Sequence, residues 1–513
     1  MHPAGSTDIA VPAELELRGL TVRSGATTLV SDVNLRVHAG EVVALVGPSG
    51  SGKTLTLRAV LGLLSFAPGV VAGGVTIDGQ PRTPQSLRGQ VGLLFQDGRA
   101  SLDPLRSLRA QLRHAGGLAG VAANPEDLLG RLGFPSPATA AERYPHELSG
   151  GMAQRAAAAA ALARQSRFLL CDEPTTGLDA PVAADLVAEL RRLTHVGVVF
   201  VTHDLRLLPG FADRILVMEG GRIVEEADRV ESLSGPGRRL ADATRGIAAP
   251  GWGGQALPVA AVAGKPLVSL RNLTVTHRRA WSFQPPVVAV DGVNLEIHGG
   301  EIVGLIGESG SGKSSLVRAA CGLLQRESGE VTVLGVDPAI RRRPPPRAQL
   351  LVQDAAASLN AALTAREWLA ESARVHRPTD PDAAPRALRA YGLEHRRDAL
   401  PHEMSGGERR LLTLAALSLA DPLVVFADEP TAGLDAARKA DLLEALKASH
   451  RPDGALVLVT HDVLLARHLC SRLVFLHAGR IVDDLPTSEL ERATSPSARR
   501  ILTAAGFSRW DTP

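Results

Sequence analysis

Short apolar runs along the chain give the first indication of its fold. Val42–Val46, Phe168–Cys171 and Val196–Val201 are such runs, and β-branched residues are common among them. Continuous apolar runs of this length are typical of buried parallel strands, because both faces of a parallel sheet are covered. Helical stretches follow the Gly-rich turns after these runs, so the pattern predicts an α/β fold.

Two longer stretches lack apolar runs of this kind. The residues between Gln96 and Ser149, and those between Gln353 and Ser405, are rich in Ala, Leu and Arg. These residue types are strong helix formers. We therefore expect each stretch to form a mainly helical insert.

The sequence contains the same set of motifs twice. Glu41–Thr54 recurs as Glu301–Ser314 at an offset of 260 residues, and Asp172–Asp179 recurs as Asp428–Asp435 at an offset of 256. An offset as long as a whole domain excludes a solenoid of short repeats. The chain is therefore expected to hold two tandem copies of one domain.

A segment of different composition separates the two copies. Residues 248–266 are rich in Gly, Ala and Pro and carry a single charge, which is typical of a linker. We expect the first domain at 13–247 and the second at 267–507. A flexible linker of this kind would let the two domains pair at an effective concentration on the order of millimolar.

Composition narrows the classes of function. The 513 residues leave room for about two to four domains, and a formal net charge of +2 gives no strong field for nucleic acid or an anionic membrane. The three cysteines are too scattered for a C-x-x-C metal site or a disulfide framework, so a reducing cytosol is expected. We find no secretory leader and no apolar run long enough to span a bilayer, and expect a soluble protein unless partners hold it at a membrane.

A phosphate-binding motif occurs in each copy. Gly47–Thr54 and Gly307–Ser314 both fit the pattern G-x-x-x-x-G-K-[ST], and each follows an apolar strand. In this motif the backbone N–H groups surround phosphate oxygens, the lysine reaches the β- and γ-phosphates, and the hydroxyl binds Mg²⁺. Two matches in register make chance improbable. Only five of the 56 basic residues are lysines, and two of these five are Lys53 and Lys313.

Acidic residues end an apolar run in each copy, at Asp172–Glu173 and at Asp428–Glu429. At the end of a strand, the aspartate is placed to hold the water shell of Mg²⁺ and the glutamate to polarise an attacking water. His203 and His461 follow these pairs by 31 and 33 residues. Their repetition beside phosphate-binding motifs favours contact with a γ-phosphate over a packing role.

Together these motifs resemble those of the ATP-binding cassette (ABC) ATPases, over nearly the whole chain. The decisive element is S-G-G at Ser149–Gly151 and Ser405–Gly407, which in that family is the signature motif that opens a helix of the inserted subdomain. The resemblance implies two tandem P-loop NTPase (ABC-type) domains. Each would have a RecA-like core, a small antiparallel β subdomain and a helical insert.

The resemblance also implies two ATP sites in a head-to-tail arrangement, each closed by the signature motif of the other domain. The first site would comprise Gly47, Ser49, Gly50, Gly52, Lys53, Thr54, Gln96, Asp172, Glu173 and His203, closed by Ser405, Gly406 and Gly407. The second would comprise Gly307, Ser309, Gly310, Gly312, Lys313, Ser314, Gln353, Asp428, Glu429 and His461, closed by Ser149, Gly150 and Gly151. The glutamates and histidines would be catalytic, and Mg²⁺ would be held by Thr54, Gln96 and Asp172 and by Ser314, Gln353 and Asp428.

A finer resemblance follows each glutamine. Gln96–Pro104 and Gln353–Ala361 are similar to a stretch of the oligopeptide/dipeptide/nickel importer ATPases. This similarity implies a peripheral, energy-coupling subunit on the cytoplasmic face of the plasma (inner) membrane. Two membrane permeases would dock near Gln96 and Gln353, and an extracytoplasmic binding protein would deliver the cargo. Di- or oligopeptides are the leading expectation, and nickel or a metal-chelating opine stay open.

Departures from the family pattern predict unequal sites. In the family an aromatic residue stacks on adenine, but Val22–Gly25 offers none, whereas the second copy has Trp281 and Phe283. Leu411 also stands where the first copy has Arg155. Because both copies retain the lysine, glutamate and histidine, we expect both sites to hydrolyse ATP.

Two other classes of protein fit the sequence less well than an importer. A twin-cassette translation factor would carry a long, charged helical linker, and the linker here is short and rich in Gly and Pro. A DNA-repair or exporter-type ATPase would show zinc-binding cysteines, a long coiled-coil insert or a fused membrane segment. The sequence favours the importer.

Overall fold

The computed structural model describes residues 13–248, 264–277 and 286–507, apart from the single positions 88, 119, 135, 149, 342, 354, 378, 433 and 435. It divides into two compact units. The first consists of Met1–Leu178 and Val182–Thr244, and the second of Asp179–Pro181 and Arg245–Pro513. Most of the expected linker, and both Trp281 and Phe283, lie outside the described residues.

The first unit contains a mixed sheet and an antiparallel sheet. Its strands are β1 (Glu14–Ser24), β2 (Thr27–His38), β3 (Val42–Val46), β4 (Pro68–Ile77), β5 (Gln80–Arg82), β6 (Val91–Leu94), β7 (Phe168–Asp172), β8 (Gly197–Thr202), β9 (Arg214–Glu219) and β10 (Arg222–Ala227). Six of them form a sheet in the order β10-β9-β3-β8-β7-β6, and the other four form a sheet in the order β2-β1-β4-β5. In the six-stranded sheet all neighbours are parallel except β9 and β10.

Helices flank these sheets. They are α1 (Lys53–Val60), α2 (Pro84–Leu87), α3 (Leu108–Leu118), α4 (Pro125–Arg131), α5 (Pro137–Ala141), α6 (Gly150–Ala163), α7 (Ala180–Arg191) and α8 (Gly235–Ala248). Short 3-10 turns occur at Pro145–Glu147, Leu205–Leu207 and Val230–Ser232. The three helices α3, α4 and α5 fill the stretch between Gln96 and Ser149, which confirms the predicted helical insert.

The second unit repeats this order of elements. Its strands are β11 (Val268–His277), β12 (Val287–Ile297), β13 (Ile302–Ile306), β14 (Ser328–Val333), β15 (Ala348–Leu351), β16 (Val424–Asp428), β17 (Ala455–Val459), β18 (Arg472–His477) and β19 (Arg480–Pro486). The six-stranded sheet has the order β15-β16-β17-β13-β18-β19, and a smaller antiparallel sheet has the order β12-β11-β14.

Most helices of the second unit follow the order seen in the first. The helices are α9 (Lys313–Ala320), α10 (Pro338–Arg341), α11 (Ala355–Ser358), α12 (Ala365–His376), α13 (Ala383–Ala390), α14 (Gly406–Leu419), α15 (Ala436–Ser449), α16 (Val463–Leu469) and α17 (Pro496–Ala504). Compared with the first unit, α11 is added and α16 lies in the place of the 3-10 turn Leu205–Leu207. Its 3-10 turns lie at Glu394–Arg396, Pro401–Glu403 and Thr487–Arg492. The predicted α/β fold with two copies of one domain, each with a small antiparallel sheet and a helical insert, is confirmed.

The apolar runs form strands that are buried in the two units. All five residues of β3 and all five of β13 are buried, as the sequence predicted for strands covered on both faces. The runs at Phe168–Cys171 and Val196–Val201 correspond to β7 and β8, which extend to Asp172 and Thr202. Asp172 is thus the last residue of a central strand and pairs in register with Val201.

Local capping residues fix the helices of the inserts. Asn124 accepts hydrogen bonds from the backbone N–H groups of Glu126 and Asp127 at the start of α4. Thr364 and Glu367 form a capping box at the start of α12.

No helix in the described ranges combines the length and apolar character needed to cross a bilayer.

Candidate active sites

The phosphate-binding loop of the first unit connects the end of β3 to the start of α1. Lys53 is 5% exposed, and its Nζ atom donates hydrogen bonds to the carbonyl oxygens of Gly47 (2.8 Å) and Pro48 (2.9 Å). Gly52 has a φ of +104°, which favours glycine, and caps α1. A Cβ atom at Gly47 would lie 2.1 Å from the carbonyl oxygen of Met218. The loop therefore requires its glycines and folds around the lysine.

The second unit has the same geometry. Lys313 Nζ donates to the carbonyl oxygens of Gly307 (2.7 Å) and Glu308 (2.9 Å). Gly312 has a φ of +106°, and a Cβ atom there would lie 2.2 Å from the carbonyl oxygen of Ala289. Burial lowers the pKa of Lys313, and nearby carboxylates, of which Glu429 has the largest effect, oppose this.

A hydroxyl and a carboxylate meet beside each lysine. Thr54 Oγ1 donates to Asp172 Oδ1 at 2.8 Å, and Ser314 Oγ donates to Asp428 Oδ1 at 3.0 Å. Each aspartate is 2% exposed, and burial raises its pKa, although the hydrogen bond from the hydroxyl acts in the opposite direction.

The donor set of these pairs fits Mg²⁺ bound together with phosphates. The described residues contain no group of three or more His, Cys, Asp or Glu side chains that could hold a metal ion by themselves. Mg²⁺ is usually bound by one or two carboxylates together with substrate phosphates and water, rather than by a complete protein cage. A hydroxyl oxygen and a carboxylate oxygen at the end of a phosphate-binding loop are ligands of that kind.

The glutamate after the strand-ending aspartate of each unit pairs with the histidine predicted for its site. Glu173 Oε2 lies 3.3 Å from His203 Nδ1, and Glu429 Oε2 lies 2.8 Å from His461 Nδ1. The two glutamates have φ values of +46° and +50°, a conformation that L-residues adopt at an energetic cost. Surrounding structure holds them there, since the N–H of Glu173 donates to the Val201 carbonyl at 3.1 Å.

The electrostatic surroundings keep both glutamates ionised. Burial alone would raise the pKa of Glu173, but its hydrogen bond with His203 and the charges of His203 and Lys53 hold that pKa below its usual range. His461 and Lys313 have the same effect on the pKa of Glu429. Burial lowers the pKa of His461, but the carboxylate of Glu429 outweighs it and raises that pKa.

The glutamine after β6 also reaches the first glutamate. Gln96 Nε2 donates to Glu173 Oε2 at 3.3 Å, and Thr176 Oγ1 donates to the same oxygen at 3.1 Å. Sequence reasoning included Gln96 but missed Thr176, whose place in the D-E-P-T-T segment was the available signal. Gln353 is exposed and lies two residues after β15, the matching position.

The signature segments lie at the start of helices, as predicted. Helix α6 begins at Gly150 and α14 at Gly406. Ser405 is the N-cap of α14, and its Oγ accepts a hydrogen bond from the N–H of Glu408 at 3.3 Å. Ser149 lies outside the described residues. That each signature segment closes the ATP site of the other domain stays a prediction.

Two side chains missed by sequence reasoning tie the first signature segment to the Gln96 segment. Gln154, on α6, is 3% exposed, and its Nε2 atom donates to the carbonyl oxygen of Phe95 at 2.9 Å. Arg99 donates to the carbonyl oxygen of Leu148. The first signature segment is therefore fixed by hydrogen bonds to the residues on either side of Gln96.

Arg155 and Leu411, which differ between the copies, also differ in their contacts. Arg155 donates to the carbonyl oxygen of Gly133 at 2.8 Å and lies 5.0 Å over the ring of Phe134, which links α6 to the insert. Leu411 packs against apolar residues of the second unit. The two copies therefore differ in their contacts at this position, and the inequality of the two ATP sites stays a prediction.

These features define a P-loop ATPase with two tandem domains, each with its own phosphate-binding loop. The family model described as "ABC transporter" matches residues 30–176 and 290–432, which together make up more than half of the chain. The chain belongs to the ABC transporter family, and it carries two cassettes of that family. It is an ATPase.

Curated relatives resemble the chain along most of its length. It is 32% identical to the peptidoglycan transport ATP-binding protein YejF of Agrobacterium fabrum, over 96% of each chain. It is 30% identical to the glutathione import ATP-binding protein GsiA of Pectobacterium atrosepticum, over 96% of this chain and 89% of that one. It is also 30% identical to the oligopeptide transport ATP-binding protein OppD of Mycobacterium tuberculosis, over 90% of this chain and 92% of that one.

Solved structures give the same fold. An archaeal ribosome recycling factor, aABCE1, matches with a TM-score of 0.63 at 20% identity, over 95% of this chain and 92% of that chain. RNase-L inhibitor matches with a TM-score of 0.62, also at 20% identity. At this identity the likeness shows the fold alone, so it adds no support for a role in translation.

Proposed function

We propose that this ATPase is the energy-coupling subunit of an importer for di- or oligopeptides. The observation that carries the proposal is that each cassette brings a Glu–His pair and a hydroxyl–aspartate pair together beside a buried lysine. The relatives named for peptidoglycan, glutathione and oligopeptide transport support a peptide-like cargo. Nickel or a metal-chelating opine is the alternative cargo.

In the proposed reaction, the loop amides and Lys53 or Lys313 bind the phosphates of ATP. Thr54 with Asp172, and Ser314 with Asp428, would hold Mg²⁺, and Gln96 and Gln353 would complete its surroundings. When bound, Mg²⁺ neutralises charge on the phosphates.

The glutamate of each site would polarise the attacking water. Its surroundings hold its pKa below the usual range, so the carboxylate is ionised, as a group that polarises water must be. His203 and His461 would orient the glutamates and contact the γ-phosphate. Fixed donors aimed at the phosphates stabilise charge without reorganising during the reaction.

We further propose that the two cassettes act as a pair on two permease subunits at the cytoplasmic face of the plasma membrane. Each S-G-G segment would close the ATP bound by the other cassette, as the family resemblance implies. ATP binding would close the pair and change the access of the permeases, and hydrolysis would reopen it.

The hydrolytic part of the proposal is tested with the purified full chain. Glu173→Gln and Glu429→Gln are made separately and together, and phosphate release from Mg-ATP is measured. Each single change should lower turnover, and the double change should reduce it to background. Glu444→Gln, an exposed carboxylate on α15, is the matched control. A single change that leaves turnover intact would show that its site is not catalytic.

The importer part is tested by coexpression with the permease subunits. The chain should then appear in the membrane fraction, and peptide uptake should depend on Glu173 and Glu429. Recovery with ribosomes but never with membranes would overturn the importer proposal and favour a twin-cassette translation factor. Uptake of nickel without uptake of peptides would show that the cargo is nickel and not a peptide.

A further inference from the structure

An acidic side chain stands in the first turn of the second signature helix. Glu408 follows Ser405–Gly407 directly, whereas the first signature segment is followed by Met152. In the proposed function this end of the helix faces the phosphates of ATP. A carboxylate there would repel phosphate, although it is favourable for the helix itself. Its charge must therefore be balanced.

The structure shows how the Glu408 carboxylate is held. Oε2 accepts the backbone N–H of Ser405 at 2.7 Å, so Glu408 and Ser405 form a reciprocal capping box. Oε1 accepts Nε of Arg396 at 2.9 Å, and His395 Nε2 lies 3.6 Å from the same oxygen. Both oxygens are thus turned back towards the start of the helix.

The charge of Glu408 cannot be removed by protonation near neutral pH. Burial raises its pKa, but the hydrogen bonds from Ser405 and Arg396 lower it to about 2. The negative charge therefore persists beside the proposed phosphate site unless a cation offsets it. Arg396, in the 3-10 turn Glu394–Arg396, provides one.

We propose that Arg396 is a positioning residue for the second signature segment, which holds and neutralises the Glu408 carboxylate so that Ser405–Gly407 can receive the ATP phosphates. This inference rests on the proposed function, because it requires the S-G-G segment to contact ATP. It assigns Arg396 no contact with the nucleotide. The first cassette needs no equivalent residue, because Met152 carries no charge.

The expected effect is on ATP binding rather than on the chemical step. Without Arg396, the Glu408 carboxylate loses its arginine partner and keeps only the Ser405 N–H and His395 beside it, so it opposes the anionic phosphates more strongly. One charge at a helix terminus corresponds to a roughly two- to fivefold change in affinity. Arg396→Ala should raise KM for ATP by about that factor and leave kcat nearly unchanged.

The test compares four variants of the full chain with the wild type: Arg396→Ala, Glu408→Gln, the double variant, and Arg397→Ala. Arg397 is the matched control, since it is exposed in the next position and pairs with Asp398 at 3.1 Å and Glu394 at 3.4 Å instead. KM and kcat for Mg-ATP hydrolysis are measured at low and high salt, with the melting temperature of each variant.

Three results are expected together. Arg396→Ala raises KM, high salt reduces the defect because the effect is electrostatic, and Glu408→Gln added to Arg396→Ala restores KM. Glutamine retains the capping box, so the rescue does not depend on losing the cap. Arg397→Ala leaves KM unchanged.

A merely structural role for Arg396 would give another pattern. Glu408→Gln would not restore KM, and salt would not change the defect; that pattern overturns the inference, as does an unchanged KM in Arg396→Ala. A lower melting temperature is expected for either role, because the hydrogen bond between Arg396 and Glu408 also stabilises the fold. Should Arg396→Ala fail to fold, Arg396→Gln is measured in its place against the same criteria. A wild-type chain without ATPase activity would instead refute the proposed function.

Discussion

The Nδ1 atom of His461 lies 2.8 Å from Oε2 of Glu429, and this pair is closer than its counterpart in the first cassette, His203 and Glu173, at 3.3 Å. His203 directly follows β8, His461 lies two residues after β17, and each contacts a glutamate held in a left-handed conformation. The Glu–His pair occurs in both cassettes, which supports two hydrolytic sites. Because both sites lie in one chain, the contribution of each histidine can be measured in the same protein.

Removing either histidine should therefore slow hydrolysis at its own site. To isolate each site, His461→Ala is combined with Glu173→Gln, and His203→Ala with Glu429→Gln. Since each histidine orients the glutamate, we expect turnover at the remaining site to fall by about tenfold or more. The measurement is phosphate release, compared with each glutamine variant alone. Turnover equal to that of the single variant would show that the histidine has no catalytic role.

The two buried lysines predict the stoichiometry of ATP binding. Lys53 and Lys313 form the same hydrogen bonds in their loops, so each cassette should bind one nucleotide. Lys53→Met and Lys313→Met should each reduce binding from two ATP per chain to one, measured by equilibrium dialysis in the presence of Mg²⁺. Lys447→Met, on α15, is the lysine control and should leave two ATP bound. If one single variant bound no ATP at all, the prediction that each loop binds its own nucleotide would be wrong.

The glycine positions differ in what they tolerate. Gly312→Ala would bring a Cβ atom within 2.2 Å of the Ala289 carbonyl at a φ of +106°, which should destabilise the second cassette by about 1–3 kcal/mol. Gly117 is the matched control, because it lies in α3 with a negative φ and no atom within 4 Å of a Cβ. Gly117→Ala should be neutral or stabilise by up to about 1 kcal/mol. Thermal unfolding of both variants checks this, and an equal effect of the two changes would contradict the loop geometry.

The parts of the site that the sequence predicted are those fixed by local structure. Lys53 follows a strand and starts a helix, and Asp172 ends a strand, so a motif and its flanking apolar run define their places. The left-handed backbone of Glu173 and Glu429 could not be predicted, because nothing in the sequence marks a positive φ at a residue other than glycine.

Hydrogen bonds and ion pairs between distant polar residues also could not be predicted from the sequence. Gln154 bonds to the carbonyl oxygen of Phe95, 59 residues away, and any of several glutamines could have done so. Arg396 is one of many arginines in a chain with only five lysines among 56 basic residues. Which arginine neutralises Glu408 depends on how the insert folds back onto the start of α14.

The ionised carboxylate of Glu408 at the start of α14 predicts a dependence of stability on pH. The pKa of Glu408 in the folded chain is about 2, below its ordinary value of 4.5. Its contribution to stability is therefore complete above about pH 4.5 and lost as the pH falls towards 2. Urea unfolding of the wild type and of Glu408→Gln should differ most near neutral pH and converge in acid.

Ser405 provides an independent check on that capping box. Ser405→Ala removes the hydroxyl that accepts the N–H of Glu408, at a cost of about 1 kcal/mol. Because the hydroxyl does not titrate in this range, its cost should persist in acid, where that of Glu408→Gln disappears. Comparing the unfolding free energies of both variants across this pH range separates the two effects. A difference between wild type and Glu408→Gln that stays constant with pH would show that the carboxylate is not the source of the stabilisation.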